Sequence, residues 1–268
     1  PPPVTTAHEH FLCGGNSCTK VGHTQETSMV TFKPWDKTNE LPTTAGNYYL
    51  TDNVTLSSSW KPVDGTVLCL NGHSITANVS FAAIIVNDST FTLCDCKGED
   101  GAYGKITQPV GKNGSGVYVS GGVFHMYGGS ITGNTADNGG GVYMGGENSK
   151  FNMYGGEISG NTATVSGGGV SVSGGTFTMS GGSIIGNNGS GVFVNDNTTF
   201  TVSGAATVKG NTREGAASNV FLTGSAKITI GGKLTGSPNS IGVTRGAYLD
   251  IANNVNEDYS GIFFSDKT

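Results

Sequence analysis

The chain has 268 residues and carries 14 lysines and arginines against 19 aspartates and glutamates, which gives a formal net charge of -5 at pH 7. Charged residues make up only 12% of the chain and form no basic cluster, so the composition argues against nucleic-acid binding. No apolar run approaches the roughly 18 residues of a membrane-spanning helix. Glycine is abundant, at 45 residues, but has no collagen period, which excludes a triple helix.

Residues 1–31 are polar and irregular in pattern, and they hold a group of potential metal ligands: His8, His10, Cys13, Cys18 and His23. Tetrahedral zinc binds neutral histidine and cysteine thiolate, and a segment this short needs a staple because it has no core of its own. A structural zinc site built from four of the five is therefore one prediction. A Cys13–Cys18 disulfide with solvated histidines is the alternative, which an oxidising exterior would favour.

Residues 32–66 are expected to form an N-terminal cap over one end of a repetitive fold. Residues 47–56 alternate apolar and polar side chains, as strands do. Trp35 and Trp60 are interpreted as part of the core of the cap rather than as a platform for a ligand, because tryptophan is highly buried on average.

Early, irregular copies of a repeat occupy residues 67–110. Residues 68–75 align with residues 124–131, which places Cys69 in the same outward column as His125. Cys69 and Cys94 are 25 positions apart, about one repeat, so they are expected to be stacked neighbours. The chain has five cysteines, and an odd number argues against a complete disulfide framework. The simplest interpretation of the later ones is small buried apolar side chains.

Residues 116–230 repeat one phrase: a Gly-Val start, an alternating Phe-x-Met run and a Gly-Gly-x-Ile-x-Gly-Asn end. The asparagines that end the phrase are residues 134, 161, 187 and 211, at intervals of 27, 26 and 24. Each period contains three short runs with apolar residues at every second position, which predicts strands. Three short strands per period with glycine corners predict an all-β fold, a single parallel β-helix over residues 67–268, with coils about 4.8 Å apart.

The alternation also predicts which side chains point inward, with like residues stacked on like. The expected columns are Val117, Val142, Val170, Val192 and Val220; Phe124, Phe151, Phe177, Phe200 and Ile228; and Ile131, Ile158, Ile184 and Val208. A fourth column, at one corner, is predicted for Asn134, Asn161, Asn187 and Asn211. Asparagine tolerates the left-handed conformation, and stacked amides can hydrogen-bond along the axis. Two last coils are expected in residues 231–268.

Aromatic side chains at outward positions are the candidate ligand-binding residues. Tyr118, Tyr143 and Phe193 lie on the first strand of their coils, and Tyr127 and Tyr154 form a second pair before the Gly-Gly corners. Aromatic faces spaced by one coil suit a sugar chain or a partner protein. The alternative is that these rings only stabilise an exposed sheet.

Carboxylates are sparse on the predicted outer faces, which argues against catalysis. Glycoside hydrolysis needs two carboxyl groups about 5 to 9.5 Å apart, and the outward positions of the second strand hold none. Asp137 and Glu147 fall in loops that can meet across one coil junction, although solvated loop residues are the simpler interpretation. No catalytic residue is assigned, and a polysaccharide hydrolase or lyase is the alternative to a non-catalytic binding module.

Several phrases together resemble a known group of proteins: residues 8–15 (HEHFLCGG), residues 41–50 (LPTTAGNYYL), residues 68–73 (LCLNGH) and the Gly-Gly-Ser-Ile-x-Gly-Asn repeats. They resemble large repeat-containing surface proteins of gut Gram-positive bacteria with a pectate-lyase-like right-handed β-helix, a hand that parallel crossovers generally adopt. The resemblance implies an extracellular, secreted or wall-attached parent with further domains. It also implies a role at the cell surface. Together with the outward aromatic residues, this predicts adhesion or glycan recognition along an exposed β-helix face, with a polysaccharide, a glycoprotein or a host surface protein as partner. A structural stalk is the third alternative.

Overall fold

The computed structural model describes residues 8–13, 28–97, 101–245, 251–253 and 261–266, and every regular element within these ranges is a β-strand. The strands form three parallel stacks around one continuous apolar interior, so the predicted parallel β-helix is confirmed. Within the same ranges, no helix has the length and apolar character needed to cross a membrane.

Each stack takes one strand from each coil. The first stack contains Ala82–Asn87, Ser115–Ser120, Val142–Met144, Val170–Val172, Val192–Val194 and Val220–Leu222. The second contains Val30–Trp35, Asn47–Leu50, Thr66–Cys69, Thr90–Cys94, Val123–Met126, Lys150–Met153, Thr176–Met179, Thr199–Gly204, Lys227–Leu234 and Ile251–Asn253. The third contains Val54–Leu56, Ile75–Ala77, Lys105–Thr107, Ser130–Thr132, Glu157–Ser159, Ser183–Ile185 and Thr207–Lys209.

Three further strands and two small ribbons lie at the ends and the corners. His8–His10 pairs antiparallel with Val30–Trp35. Ile241–Arg245 pairs with both the first and the third stack and so joins them, and Phe263–Ser265 pairs with it in turn. At one corner Thr135–Asn138 pairs parallel with Thr162–Ser166, and farther along Thr212–Arg213 pairs with Ala216–Ala217.

The interior is built from the predicted columns, which the strand registers confirm for valine, phenylalanine and isoleucine alike. The phenylalanine column is fully buried, and its rings stack nearly parallel at centroid distances of 4.7 to 5.6 Å from Phe91 to Phe200. One coil cannot bury such a row alone, because each ring needs a neighbour above and below. Repetition of the phrase is therefore what closes the core.

The corner asparagines form a buried hydrogen-bonded ladder, as predicted. Each amide nitrogen from Asn134 to Asn187 donates to the side-chain oxygen of the next asparagine at 2.9 to 3.0 Å. Asn211 continues the ladder to Asn219 at 3.0 Å. Asn219 then donates its amide to Asp266 at 2.5 Å, so a carboxylate accepts the last bond of the ladder.

The N-terminal end differs from the expectation of a separate cap beginning after residue 31. Residues 32–66 already contribute strands that pair parallel with later coils, so the hydrogen bonding continues across residue 67. Trp60 is buried, as predicted: its ring packs edge-on against Phe91 at 5.2 Å, and its nitrogen donates to the Pro42 carbonyl at 2.8 Å. The segment is thus both the end cover and the first coils.

Candidate functional site

A pair of strands at the N-terminus carries two histidines onto the outer surface of the second stack. We call it the N-terminal hairpin: His8–His10 paired with Val30–Trp35. The His8 ring stacks on Tyr49 at 4.0 Å, and the His10 ring stacks on Phe32 at 4.4 Å. Phe32 is buried in a small apolar cluster with Cys69 and Cys94, so packing fixes where the hairpin lies.

The two histidines converge there with two cysteines, and we call His8, His10, Cys69 and Cys96 the His/Cys cluster. One potential ligand atom from each residue lies within 4.8 Å of every other. His10 Nε2 is 3.3 Å from Cys69 Sγ, the two sulfurs are 3.6 Å apart, and Cys96 Sγ is 3.6 Å from His8 Nε2. His10 and Cys69 are buried, whereas His8 and Cys96 are half-buried. Two imidazoles and two sulfurs at these distances can hold a cation.

Each histidine of the cluster has a defined electrostatic setting. Burial lowers the pKa of His8, and the neighbouring His10 lowers it further. Burial also acts to lower the pKa of His10, but its interaction with the nearby Cys96 and its hydrogen bond to the Phe11 carbonyl outweigh that effect and raise the pKa. The Phe11 carbonyl is 2.6 Å from His10 Nδ1 and can only accept, so Nδ1 carries a proton and donates it. In the neutral ring, Nε2 then turns a lone pair toward the thiols.

The thiols of Cys69 and Cys96 are held in their protonated form by neighbouring thiols and by burial. The hydrogen bond with Cys94, burial and the nearby Cys94 thiol raise the pKa of Cys69 far above its ordinary value. The hydrogen bond with Cys69 and burial do the same to the pKa of Cys96. Cys96 also donates to the side-chain oxygen of Asn71 at 3.1 Å. Only a cation placed among these sulfurs would favour the thiolates, because it reverses the local electrostatics.

Asp95 organises the loops beside the cluster. Its buried carboxylate accepts the backbone N–H of Gly72 at 2.8 Å, of Lys97 at 3.0 Å and of Gly104 at 2.7 Å. Burial raises the pKa of Asp95, and these three hydrogen bonds oppose the rise. The Asp95 carboxylate thus links two coil corners through backbone hydrogen bonds, and these bonds fix the backbone next to Cys96.

The predicted metal ligands are divided by the structure. His8 and His10 belong to the cluster, but Cys13 is disulfide-bonded, so the disulfide alternative holds for its sulfur. Cys18 and His23 lie outside the described residues. The other two members of the His/Cys cluster, Cys69 and Cys96, come from coils that sequence spacing alone did not connect with the N-terminus. The sequence pattern that could have pointed to Cys69 and Cys96 is the recurrence of cysteine at outward positions of the early coils, at residues 69, 94 and 96.

The expected alignment of the early coils was wrong by two residues. Leu68 pairs with Leu93 and so shares the Met126 column rather than the Phe124 column. Thr66 takes the place beside Phe91, and the edge-on ring of Trp60 covers that end of the phenylalanine column. Cys69 and Cys94 do pair directly, as predicted, but the next coil continues their column with Tyr127 instead of His125.

Three of the outward aromatic rings form a row on the first stack. Tyr118 and Tyr143 stack at 5.3 Å, and Phe81, which the sequence did not single out, packs edge-on against Tyr118 at 5.1 Å. Phe81 is 53% exposed. In the next coil this position is Ser171, which is buried and bonded to Ser166 at 3.1 Å, so the row ends at Tyr143. We call Phe81, Tyr118 and Tyr143 the aromatic row.

Phe193 belongs to a separate pair farther along the axis. It stacks with Phe221 at 5.5 Å, and the Arg213 guanidinium lies over Phe221 at 5.2 Å. Two coils separate Phe193 from Tyr143, which is about 9 to 10 Å. On the first stack, therefore, the predicted ligand-binding residues fall into two separate groups: Tyr118 and Tyr143 in one, and Phe193 in the other.

A groove opens beside the aromatic row. It has a volume of about 230 Å³ and is lined by Ser80, Phe81, Asn113, Gly114, Ser115, Ala136, Asp137, Asn138 and Tyr143. Asp137 accepts from Thr164 at 2.9 Å and from the Asn113 amide at 3.5 Å, which fixes the polar wall. Gly139, at a φ of +59°, lets that wall run close to Tyr143, since a Cβ there would lie 2.6 Å from Tyr143 Cα. The groove combines two rings with amide, hydroxyl and carboxylate groups.

The second predicted pair lies after the strands of the second stack. Tyr127 and Tyr154 stack at 4.5 Å, and His125 stacks on Tyr154 at 6.0 Å. The Asn152 amide donates to His125 Nδ1 at 3.4 Å. Burial lowers the pKa of His125 and raises the pKa of Tyr154. The two tyrosines continue the outward column of Cys69 and Cys94 and do not share a stack with the aromatic row.

Comparison of the chain with protein-family models, with curated proteins and with solved structures finds no match. The resemblance to gut Gram-positive surface proteins stays a prediction, while the parallel β-helix stands on the strand registers. Two surfaces have chemistry beyond packing: the groove beside the aromatic row, and the His/Cys cluster under the N-terminal hairpin.

Proposed function

We propose that the protein is a non-catalytic binding module that recognises a glycan along the aromatic row and its groove. One observation carries the proposal: Phe81 and Tyr143 line a groove that is also lined by Asn113, Asp137 and Asn138. Sugars present apolar C–H faces and a rim of hydroxyls, so a site needs aromatic faces next to polar groups. Rings that served only to stabilise the sheet would not need polar side chains lining a groove beside them.

The same groove supports binding over hydrolysis. Hydrolysis of a glycosidic bond uses a pair of carboxyl groups. Among the described residues that line the groove, Asp137 is the one carboxylate, and Glu147 is not part of the lining. Asp137 is exposed and bonded to Thr164 and Asn113, an arrangement that suits a hydrogen-bond acceptor for sugar hydroxyls.

The proposal places the module outside the cell, on a secreted or wall-attached protein, as the resemblance implies. The disulfide at Cys13 supports this location, because disulfides persist in oxidising compartments. The partner would be a polysaccharide or the glycan of a host glycoprotein.

The test is a glycan array followed by affinity measurement on the best binder. We expect Tyr143→Ala to weaken binding about tenfold or more, the scale of one lost aromatic contact. Phe193→Ala is the matched control, because Phe193 is also a half-buried outward ring of the first stack but lies outside the groove. Binding that is lost in Phe193→Ala or Tyr127→Ala and kept in Tyr143→Ala would reject this groove.

The alternatives have their own readouts in the same preparation. Release of reducing ends or unsaturated products from a polysaccharide, abolished by Asp137→Asn, would show a polysaccharide-active enzyme instead. No glycan binding and no product release would leave a stalk or spacer.

A further inference from the structure

We infer that the His/Cys cluster is a structural zinc site that fastens His8–His10, the first strand of the N-terminal hairpin, to the side of the β-helix. His8 and His10 supply two imidazole nitrogens, and Cys69 and Cys96 supply two thiolates from two successive coils. This set requires neither Cys13 nor the residues that follow it. It is independent of the glycan proposal, because the groove beside the aromatic row shares no residue with the cluster.

The distances fit a tetrahedron around zinc. With Zn–S bonds of about 2.3 Å and Zn–N bonds of about 2.05 Å, the edges of a tetrahedral site are about 3.8 Å between sulfurs and about 3.6 Å between sulfur and nitrogen. The sulfurs of Cys69 and Cys96 are 3.6 Å apart, and two of the four sulfur–nitrogen pairs are separated by 3.3 and 3.6 Å. All six pairs of ligand atoms lie within 4.8 Å, so no pair has to approach by more than about 1.5 Å when the cluster closes on the ion.

The surroundings prepare the ligands. The hydrogen bond from His10 Nδ1 to the Phe11 carbonyl fixes the tautomer that presents Nε2 to the ion, the usual outer contact of a zinc-bound histidine. Stacking on Tyr49 and Phe32 fixes the planes of the His8 and His10 rings. On binding, two thiol protons pass to solvent, and two thiolates balance the charge of Zn²⁺. A neutral centre suits a site that is half-buried or more.

The site is structural rather than catalytic. Four protein ligands complete the tetrahedral shell and leave no position for water or substrate. Cys96 also lines an open groove of about 240 Å³ with Lys97, Tyr103 and Tyr127, which offers a path of entry for the ion. Without the ion, His8–His10 would be held by its antiparallel edge with Val30–Trp35 and by its ring contacts with Tyr49 and Phe32. Val30–Trp35 itself is a strand of the second stack, paired in parallel with Asn47–Leu50.

The experiment is cobalt titration of the full chain, purified with its free thiols reduced and its metals removed. We expect one Co²⁺ per chain, with the intense visible bands of a tetrahedral site and a thiolate-to-cobalt band in the ultraviolet, and displacement by one Zn²⁺. Cys69→Ser, Cys96→Ser and His10→Gln should each weaken cobalt binding by more than about 100-fold, beyond the loss of an outer-shell partner.

Cys94→Ser is the matched control. Cys94 is a buried free cysteine that pairs with Cys69 in register but is not part of the cluster, so its loss should leave the cobalt spectrum and stoichiometry unchanged. Circular dichroism of each variant checks that the β-helix is intact. The proposal is overturned if the folded, reduced wild type binds no cobalt, or if Cys94→Ser abolishes binding and Cys96→Ser does not. A Cys69–Cys96 disulfide that re-forms in preference to zinc binding would also overturn it.

Discussion

The central coils and the N-terminal end of this β-helix are held together in different ways. In the central coils, from Gly116 to Ile230, each residue lies against its own counterpart one coil away, and the phenylalanine column and the asparagine ladder are the result. At the N-terminal end unlike residues meet: two histidines from the hairpin contact cysteines from separate coils. Repetition specifies the first region, whereas a single convergence of side chains specifies the second.

The difference teaches how a solenoid is closed at its ends. A repeated phrase can extend a column without limit, but the terminal coil must cover it with something that is not repeated. At the N-terminal end the Trp60 ring lies across the phenylalanine column, and at the other end Asp266 accepts the last bond of the asparagine ladder. Neither end is covered by a residue of the repeated phrase: Trp60 lies outside it, and Asp266 is 47 residues from Asn219 in the chain.

The largest effect should come from breaking a column in the central coils. Phe151→Ala removes a fully buried ring between Phe124 and Phe177, and we expect a loss of about 3–5 kcal/mol in the free energy of unfolding. Chemical denaturation measures it. Phe81→Ala, which removes an exposed ring, is the control and should cost less than about 1 kcal/mol. Equal losses in the two variants would contradict a repetition-built core.

The next effect concerns the ladder. Asn161→Ala removes the acceptor for Asn134 and the donor to the Ile131 carbonyl at 2.8 Å, both buried, so we expect at least about 2 kcal/mol of destabilisation. Asn152→Ala is the matched control on the outer surface, where the amide makes one hydrogen bond of 3.4 Å to His125. Denaturation that shows no difference between the two would mean that the ladder contributes nothing to stability.

Disrupting the N-terminal end should have a local effect only. We expect the double variant His10→Gln, Cys69→Ser to lose hydrogen-exchange protection in His8–His10 and in residues 30–32, which pair with it, toward the near-zero opening free energies of fraying ends. Strands of the central coils should keep their protection, because no ligand of the cluster comes from them. Loss of protection throughout the chain would contradict the separation of the two regions.

The smallest effect is a pH dependence inside the central coils. Because burial lowers the pKa of His125, the unfolded chain takes up a proton more readily than the folded one. The resulting loss of folding stability is absent above the pKa of histidine in the unfolded chain, about 6.5. It grows as the pH falls from there through the lowered pKa of His125 in the folded chain. His125→Gln should therefore flatten the loss of stability over that range. Urea midpoints measured from pH 7 to 5 check this, and an unchanged slope would reject it.

The sequence predicted the regular part of the fold because period-two alternation and a fixed repeat length are local signals. Val117, Phe124 and Ile131 each lie above their expected counterparts. It failed by two residues at Leu68, where the phrase is degraded and Thr66 replaces phenylalanine in the column. There the position of Trp60, set by tertiary packing, decides the register.

The candidate sites were predicted only in part for the same reason. His8 and His10 stood out by their spacing, but Cys96 is 88 residues from His8, and only the folded hairpin brings them together. Tyr118 and Tyr143 followed from the repeat, while Phe81, from an irregular coil, and the groove wall of Asn113 and Asp137 did not. Contacts between loop residues do not recur at a fixed interval in the sequence, so the repeat could not predict them.

The most direct test of the contrast between the two regions is anomalous diffraction at the zinc edge from crystals of the reduced full chain grown with zinc. The account predicts one peak at the His/Cys cluster, about 2.3 Å from the sulfurs of Cys69 and Cys96 and about 2.0–2.1 Å from the nitrogens of His8 and His10. A map without a peak there, or with a peak bound by other residues, would contradict it.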